Sequence, residues 1–505
     1  MLIGLAATHH CYASLLSNPG FETGNLAAWT TYGANCYVNS GAAHSGSDYF
    51  KIYQAFNGQV NYNGIYQDYI SGAGAVYSAN GWAYTSAGDA LAGQNIAWIE
   101  VTFRDADARV LALYRSAIVT TNSISAGTFS KSTWINLLVT NEYNPITLQI
   151  TNSTARLIAP KGTSFVRYQI MFQGDANYSG GSLYFDDLTL NQTGGAPDGD
   201  WNIVWSDEFN SNSLDPKTWT FDIGGSGWGN NELEYYTSRP QNAYVSGGVL
   251  HIVAQKESYG GKDYTSARIK SEGLFSAQYG RFEWRAKLPA GGGFWPALWL
   301  LGTNIASIGW PDCGEIDVME NNGGNLGTVQ GSLHSGSDET GYYPLPDGGS
   351  VTNFHTYTLE WATNSILWYV DGHLYELQTN WWDSAGNYPT PFNQPFFLIM
   401  NLAVGGNYVG NPGTNTINAN STFPGDMQVD YVRLYRRTNP LQISIERTNS
   451  DVLLSWPSNV VCHLKAQVNS IAAGIGTNWT DVTTTTNLLQ IIPTGGSAFY
   501  RLESP

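Results

Sequence analysis

Trp310-Pro311-Asp312-Cys313-Gly314-Glu315-Ile316-Asp317-Val318-Met319-Glu320-Asn321 is the stretch of this chain that decides its fold and its chemistry. From Glu315 to Val318 an acid alternates with a β-branched apolar residue, which is the period of a strand. A strand sends Glu315 and Asp317 to one face and Ile316 and Val318 toward a core. Glu320 breaks the alternation, because five residues beyond Glu315 it should face that core. One extra residue bulged out near Met319 returns it to the acidic face. A helix offers no such rescue, since it would set Glu315 and Glu320 about 140° apart. Three carboxylates on one strand face repel one another and raise at least one pKa. That arrangement stabilises a sheet badly and poises one acid beside one base well. Read in isolation, the same stretch also suits a solvated acidic edge strand or a cation site.

Composition narrows the choice. At 505 residues the chain exceeds what one core holds, about 250–300. Aromatic residues make up 13%, including 18 Trp and 31 Tyr, while charged residues make up only 12%. With 56 Gly, this suits β-sandwiches whose surfaces stack on flat ligands such as sugar rings. A formal net charge of −17 argues against nucleic acid or an anionic membrane as partner. It disfavours sulfated polysaccharides equally and leaves neutral glycans. The four cysteines, Cys11, Cys36, Cys313 and Cys462, are too few and too scattered for a disulfide framework or a metal cluster. Cys11 and Cys36 could pair, which the sequence does not decide, and Cys313 reads as a small buried filler. No run of about 18 apolar residues exists to span a membrane.

Two carboxylates flanking a bond are the working parts of most glycoside hydrolases, and retaining enzymes hold them about 5–5.5 Å apart. The neighbouring stretches support that reading. Trp228-Gly-Asn-Asn-Glu232-Leu-Glu-Tyr-Tyr-Thr237, Thr265-Ser-Ala-Arg268-Ile-Lys-Ser271 and Gly280-Arg-Phe-Glu-Trp-Arg-Ala-Lys-Leu-Pro-Ala290 precede the acidic strand, as does Trp295-Pro-Ala-Leu-Trp299. Pro391-Phe-Asn-Gln-Pro-Phe396, Asn401-Leu-Ala-Val-Gly-Gly406 and Val429-Asp-Tyr-Val-Arg-Leu-Tyr435 follow it. In this order the set resembles glycoside hydrolase family 16, and its laminarinase (endo-1,3-β-glucanase) branch in particular. The resemblance implies a jelly-roll β-sandwich and a retaining enzyme that cleaves β-1,3-glucan. It makes Glu315 the nucleophile, Glu320 the general acid/base and Asp317 the residue that tunes the pair. Asn230, Glu232 and Arg268 match positions that hydrogen-bond sugars on the non-reducing side. Trp295, Trp299 and Trp310 would line the cleft and bind substrate, as would His334 on the strand paired with the catalytic one. Glu208, the Gly248 carbonyl and Asp430 would hold a structural calcium away from the cleft, and no catalytic cofactor is implied. Ala267 stands where a Gly often precedes the arginine, and Trp284 where an aliphatic residue is usual; both bear on subsite preference.

The spacing Glu-x-Asp-x-x-Glu resembles laminarinases, whereas relatives dedicated to mixed-linkage glucan carry one residue fewer. A mixed-linkage glucanase or an agarase- or galactanase-like relative is the alternative on the same fold. A non-catalytic glucan-binding protein is the alternative of another class, although a lectin gains nothing from three crowded carboxylates. The expected partner is thus a neutral β-glucan, with no nucleic acid and no membrane, met by a monomer.

The rest of the chain reads as β structure on either side. Residues 1–14, with the short apolar run Leu2–Ala7 and no positive flank, read as a signal-peptide remnant. Secretion is expected in any case, because a polymer cannot reach a cytoplasmic enzyme. Residues 15–192 alternate in short segments parted by Gly, Ser and Asn, an N-terminal β-sandwich. Its ends, Asn18-Pro-Gly-Phe-Glu22 and Leu183-Tyr-Phe-Asp-Asp-Leu-Thr-Leu190, resemble a jelly-roll carbohydrate-binding module, which implies a structural calcium near Glu22 and Asp187. Tyr53, Tyr62, Tyr66, Trp82, Tyr84 and Trp98 are its candidate sugar platforms. Residues 193–200 are a polar Gly/Pro linker, 201–437 the catalytic domain, and 441–503 a small C-terminal β-sandwich.

Overall fold

The computed structural model describes residues 14–125, 132–194, 201–384, 386–413 and 421–437, then 444–447, 452–455, 463–468, 480–482, 488–491 and 498–503. Met1–Arg436 form one compact unit and Arg437–Pro505 a second. The chain is all-β: the described helices are the short turns Thr121–Ser125, Ile305–Ile308 and Pro346–Gly348. Among the described residues no helix is long and apolar enough to cross a membrane. The expected signal-peptide remnant, apart from Ser14, lies outside the described residues, as does Cys11. Cys36 carries a free thiol.

The catalytic region is a sandwich of two large sheets. One runs in the order Thr220–Asp222, Arg268–Lys270, Phe396–Val404, Phe294–Gly302, Glu315–Glu320, Thr328–His334, Asp338–Pro344. The other is built by successive antiparallel pairing of Ala243–Ser246, Val249–Tyr259, Gly425–Arg437, Gly280–Lys287, His355–Ala362, Ser365–Val370 and His373–Gln378. Alternation along each strand divides core from surface. Leu298, Leu300, Ile316, Leu333, Leu398 and Met400 point inward from the first sheet. Leu250, Ile252, Phe282, Trp284, Leu359 and Trp361 meet them from the second. A smaller apolar cluster of Ala297, Trp299, Leu301, Cys313, Phe397 and Ile399 lies on the opposite, cleft-facing side of the first sheet. Cys313 is buried there, as its size suggested.

The N-terminal module has its own core, centred on Phe21, Phe50, Ile65, Ile99, Tyr168 and Phe185. Its longest ladder pairs Asn61–Ile70 with Phe165–Gly174. The candidate platforms divide sharply here. Trp98 is buried, with the Arg115 guanidinium 4.8 Å from its ring centre, so its faces are taken. Trp82 lies flat on His44 at 3.9 Å, and Tyr66 carries Arg167 at 3.7 Å. Tyr53 stacks on Tyr37, and Tyr84 on Tyr184. Of the six, only Tyr62 is exposed.

The module and the catalytic sandwich meet through strand pairing. Ile70 N donates to Gly372 O at 2.6 Å, and Tyr69 pairs with His373. Phe165, Leu367 and Tyr369 form a buried plug packed by Ile70, Leu374 and Leu377. Gly372 has φ +83°, and a Cβ there would lie 2.7 Å from the Tyr69 ring, so only glycine permits this approach. The C-terminal unit is two three-stranded sheets: Ser444–Arg447, Val452–Ser455 and Leu488–Ile491 in one, Thr480–Asp481, His463–Val468 and Ala498–Glu503 in the other.

Trp284, where an aliphatic residue was expected, is fully buried and its indole N–H has no hydrogen-bond partner. An unsatisfied buried donor costs about 1–3 kcal/mol, whereas truncating a core Trp to Ala costs about 3–5 kcal/mol. Trp284→Phe should therefore leave the urea midpoint of the catalytic domain unchanged or raised, and Trp284→Ala should lower it steeply. A Phe variant as unstable as the Ala variant would mean that the indole is doing more than filling space.

Candidate active site

The acidic strand is assembled by its register. Leu301 opposes Glu315, Trp299 opposes Asp317 and Ala297 opposes Glu320. All three partners lie on the cleft face, so the three acids share it. Between Asp317 and Met319 the pairing slips by one, and Val318 is the extra residue. Val318 and Met319 both enter the core. The bulge expected from sequence is there, with two adjacent apolar residues holding it in place. On the other side Glu315 opposes His334, Asp317 opposes Ser332 and Glu320 opposes Gln330.

Each acid has a donor. Trp310 Nε1 donates to Glu315 Oε2 at 3.0 Å, and Trp295 Nε1 to Glu320 Oε1 at 2.8 Å. Gln330 Nε2 donates to Glu320 Oε2 at 3.2 Å. Asp317 Oδ2 lies 3.0 Å from His334 Nε2, whose other ring nitrogen lies 2.8 Å from Asp338 Oδ1. One ligand-type atom each from Glu315, Asp317 and His334 falls within 4.8 Å of the others. Glu315 keeps part of its surface toward the cleft, while Asp317 and Glu320 are buried.

Comparison with known proteins places this geometry. The family model for glycosyl hydrolases family 16 matches residues 230–433. A beta-glucanase of Rhodothermus marinus is 45% identical over 258 residues, covering 47% of this chain and 85% of that one. The chain belongs to glycosyl hydrolases family 16. A glucan endo-1,3-beta-glucosidase of Cryptopygus antarcticus is 38% identical and covered to 92%, with 46% of this chain matched. Glucan endo-1,3-beta-glucosidase A1 of Niallia circulans is 41% identical, again over 46% of this chain; the match spans 38% of that longer protein.

Burial, first, and then the charges of Asp317 and Glu320 hold Glu315 of this family 16 hydrolase well above the ordinary carboxylate range, against the pull of His334 and Arg268. Burial and Asp317 push Glu320 up to about 8, opposed by the Trp295 and Gln330 hydrogen bonds and by His334. Burial works against the His334 cation, yet the hydrogen bond and charge of Asp317, with Glu315 and Asp338, raise it to about 10. The cluster thus holds at least one carboxyl proton beside a histidine cation at neutral pH. One group is ready to give a proton and another to carry negative charge.

The other expected substrate contacts are drawn to two ends of the cleft. Trp310 stands at 58% exposure over the catalytic strand, and Trp295 tilts against Tyr408. Trp299 faces the cleft but is buried, its Nε1 donating to Asn401 Oδ1 at 2.7 Å. It is a floor, not an open platform. Arg268 lies between the rings of Trp228 and Trp299 at 5.1 and 4.7 Å, with Nε 2.9 Å from Asp222 in an ion pair. Glu232 is buried behind this wall, accepting from Tyr236 OH at 3.0 Å. Burial raises both Glu232 and Glu234 above the ordinary carboxylate range, and the charge of Glu232 raises Glu234 further. Asn230 sits in a turn, its N–H donating to Gly227 O and its carbonyl accepting from Asn407 N.

At the positions expected to hold calcium, the carboxylates have protein partners. Both Glu208 oxygens accept from Arg433 at 2.8 Å, and Asp430 pairs with Arg285 at 2.5 Å. Glu22 accepts from the Ser47 and Asp48 amides, and Asp187 meets His44 and Ser45. Gln330, Asp338, Asn401 and Tyr408 are site residues that sequence reading did not find. Gln330, Ser332 and His334 are two apart on one strand, so the period that placed His334 could have found Gln330.

An acid catalyst must be protonated, so kcat/KM of the wild type should fall as pH rises through about 8, the Glu320 value. The Trp295 hydrogen bond favours the charged form of Glu320, so Trp295→Phe should move that basic limb to higher pH. A hydrogen bond to a charged group contributes about 1.5 kcal/mol, so the shift should be about one pH unit. A limb that stays put, or moves down, would assign it to another group.

Proposed function

We propose that the chain is an endo-acting, retaining β-1,3-glucanase, acting as a secreted monomer on a neutral β-glucan. The observation that carries the reading is the bulged strand, which puts Glu315 and Glu320 on one cleft face with Asp317 and the His334 cation between them. Glu315 attacks the anomeric carbon while Glu320 protonates the departing glycosidic oxygen. Glu320, now a carboxylate, then takes a proton from water, which releases the sugar from Glu315. Asp317 and His334 hold charge near both acids without bonding to the sugar.

Two things support β-1,3-glucan within the polysaccharide class. The relatives from Cryptopygus antarcticus and Niallia circulans are both glucan endo-1,3-beta-glucosidases. The open ring of Trp310, the Trp295 edge and the net charge of −17 suit an uncharged chain. The N-terminal module serves in this reading to hold the enzyme on insoluble glucan.

Reducing-sugar release should be greatest on laminarin and curdlan, weaker on barley mixed-linkage glucan and absent on agarose and κ-carrageenan. More release from agarose than from laminarin would overturn the assignment. Glu315→Gln and Glu320→Gln should each lower turnover on laminarin by several orders of magnitude with folding intact, and Asp317→Asn by less. Proton NMR of the first wild-type products should show the β-anomer; the α-anomer would exclude a covalent intermediate on Glu315.

A further inference from the structure

The cleft does not stop at the edge of the catalytic sheet. Register aligns Arg268, Asn401, Ala297, Glu320, Gln330 and Tyr342 in one row across successive strands. The row therefore joins the Arg268 wall, the acid Glu320 and, on the last strand, Tyr342. Tyr342 is 64% exposed on the cleft face, two strand spacings or about 10 Å from Glu320. Beyond it lies the N-terminal module.

Between the two is a cavity of about 150 Å³, with Tyr342 and Tyr343 on one wall and Ala27, Tyr66, Gln67 and Asp68 on the other. The walls are held together by the Ile70–Gly372 hydrogen bond and by the apolar plug around Phe165 and Tyr369. The groove is thus part of the fold. Its chemistry suits the apolar face of a saccharide: Tyr342 offers an open ring, and the facing wall is closed and polar, with the Gln67 amide held by the Ser17 backbone. Arg167 grips both oxygens of Asp68 at 2.7 Å, so the wall is neutral and matches a neutral chain.

We propose that this junction is a distal sugar-binding subsite, built jointly by the N-terminal module and the catalytic domain. It takes the far end of the same glucan chain that Glu315 and Glu320 cut, and it rests on the β-glucan reading above. The module then contributes to catalysis on soluble chains as well as to adhesion on solids.

The test is a ladder of β-1,3-linked gluco-oligosaccharides assayed with the full-length enzyme, reading kcat/KM for the longest relative to the shortest substrate cut. Tyr342→Ala removes one wall. Ala27→Trp, at an exposed position, fills the groove from the module side. Each should reduce the long-to-short ratio roughly five- to tenfold, the loss of one stacking contact, and Tyr342→Phe should keep the wild-type ratio. A ratio unchanged in Tyr342→Ala overturns the subsite. A ratio unchanged in Ala27→Trp alone removes the module from it and overturns the joint construction. A wild type that cuts no member of the ladder would instead refute the β-1,3-glucan reading, which separates the two failures.

Discussion

A single inserted residue sets the chemistry of this chain. A regular strand from Glu315 to Glu320 would turn Glu320 into the core, where an unpaired carboxylate is very costly. Val318 absorbs the parity error, and the core holds it there because Val318 and Met319 are both apolar and both buried. The slip that orients the acid is thus stabilised by packing on the opposite face of the sheet. Shape and reactivity are decided by the same residues.

The cost of crowding three acids is met locally and unevenly. Asp317 receives a full countercharge from His334, itself backed by Asp338. Glu315 and Glu320 receive only neutral donors, Trp310 for one, Trp295 and Gln330 for the other. Neutral donors ease a negative charge without fixing it, so these two carboxyls stay free to gain and lose a proton. The aromatic residues closest to the reaction therefore act through their N–H groups as well as their ring faces.

Much of this was legible in the sequence, and the gaps have physical reasons. Alternation with one defect gave the acid face, the bulge and the all-β class, because period two is a local property of the chain. Trp299 shows the limit: its position on the cleft face follows from alternation, yet its burial depends on Asn401 and Arg268, which arrive from distant strands. The burial of Glu232 is likewise a property of the fold and not of the local pattern. The pairing of Glu208 with Arg433 could not be read locally, since the two lie at opposite ends of the domain in sequence. Tyr408 was missed because its role lies in one hydrogen bond closing across the cleft to Gln330.

The glycine at the meeting of the two sandwiches has a consequence for how such chains diversify. Carbohydrate-active proteins are commonly pictured as beads that recombination can shuffle, each bead indifferent to its neighbour. Gly372 admits the Tyr69 ring at a distance that any side chain would forbid, and the strand pairing beside it continues one sheet into the next. A foreign module spliced in at residue 200 would meet an edge cut to fit a different partner. In this chain the two halves are fitted to each other at that seam, and a bulkier residue at position 372 would have to be matched by a change at Tyr69.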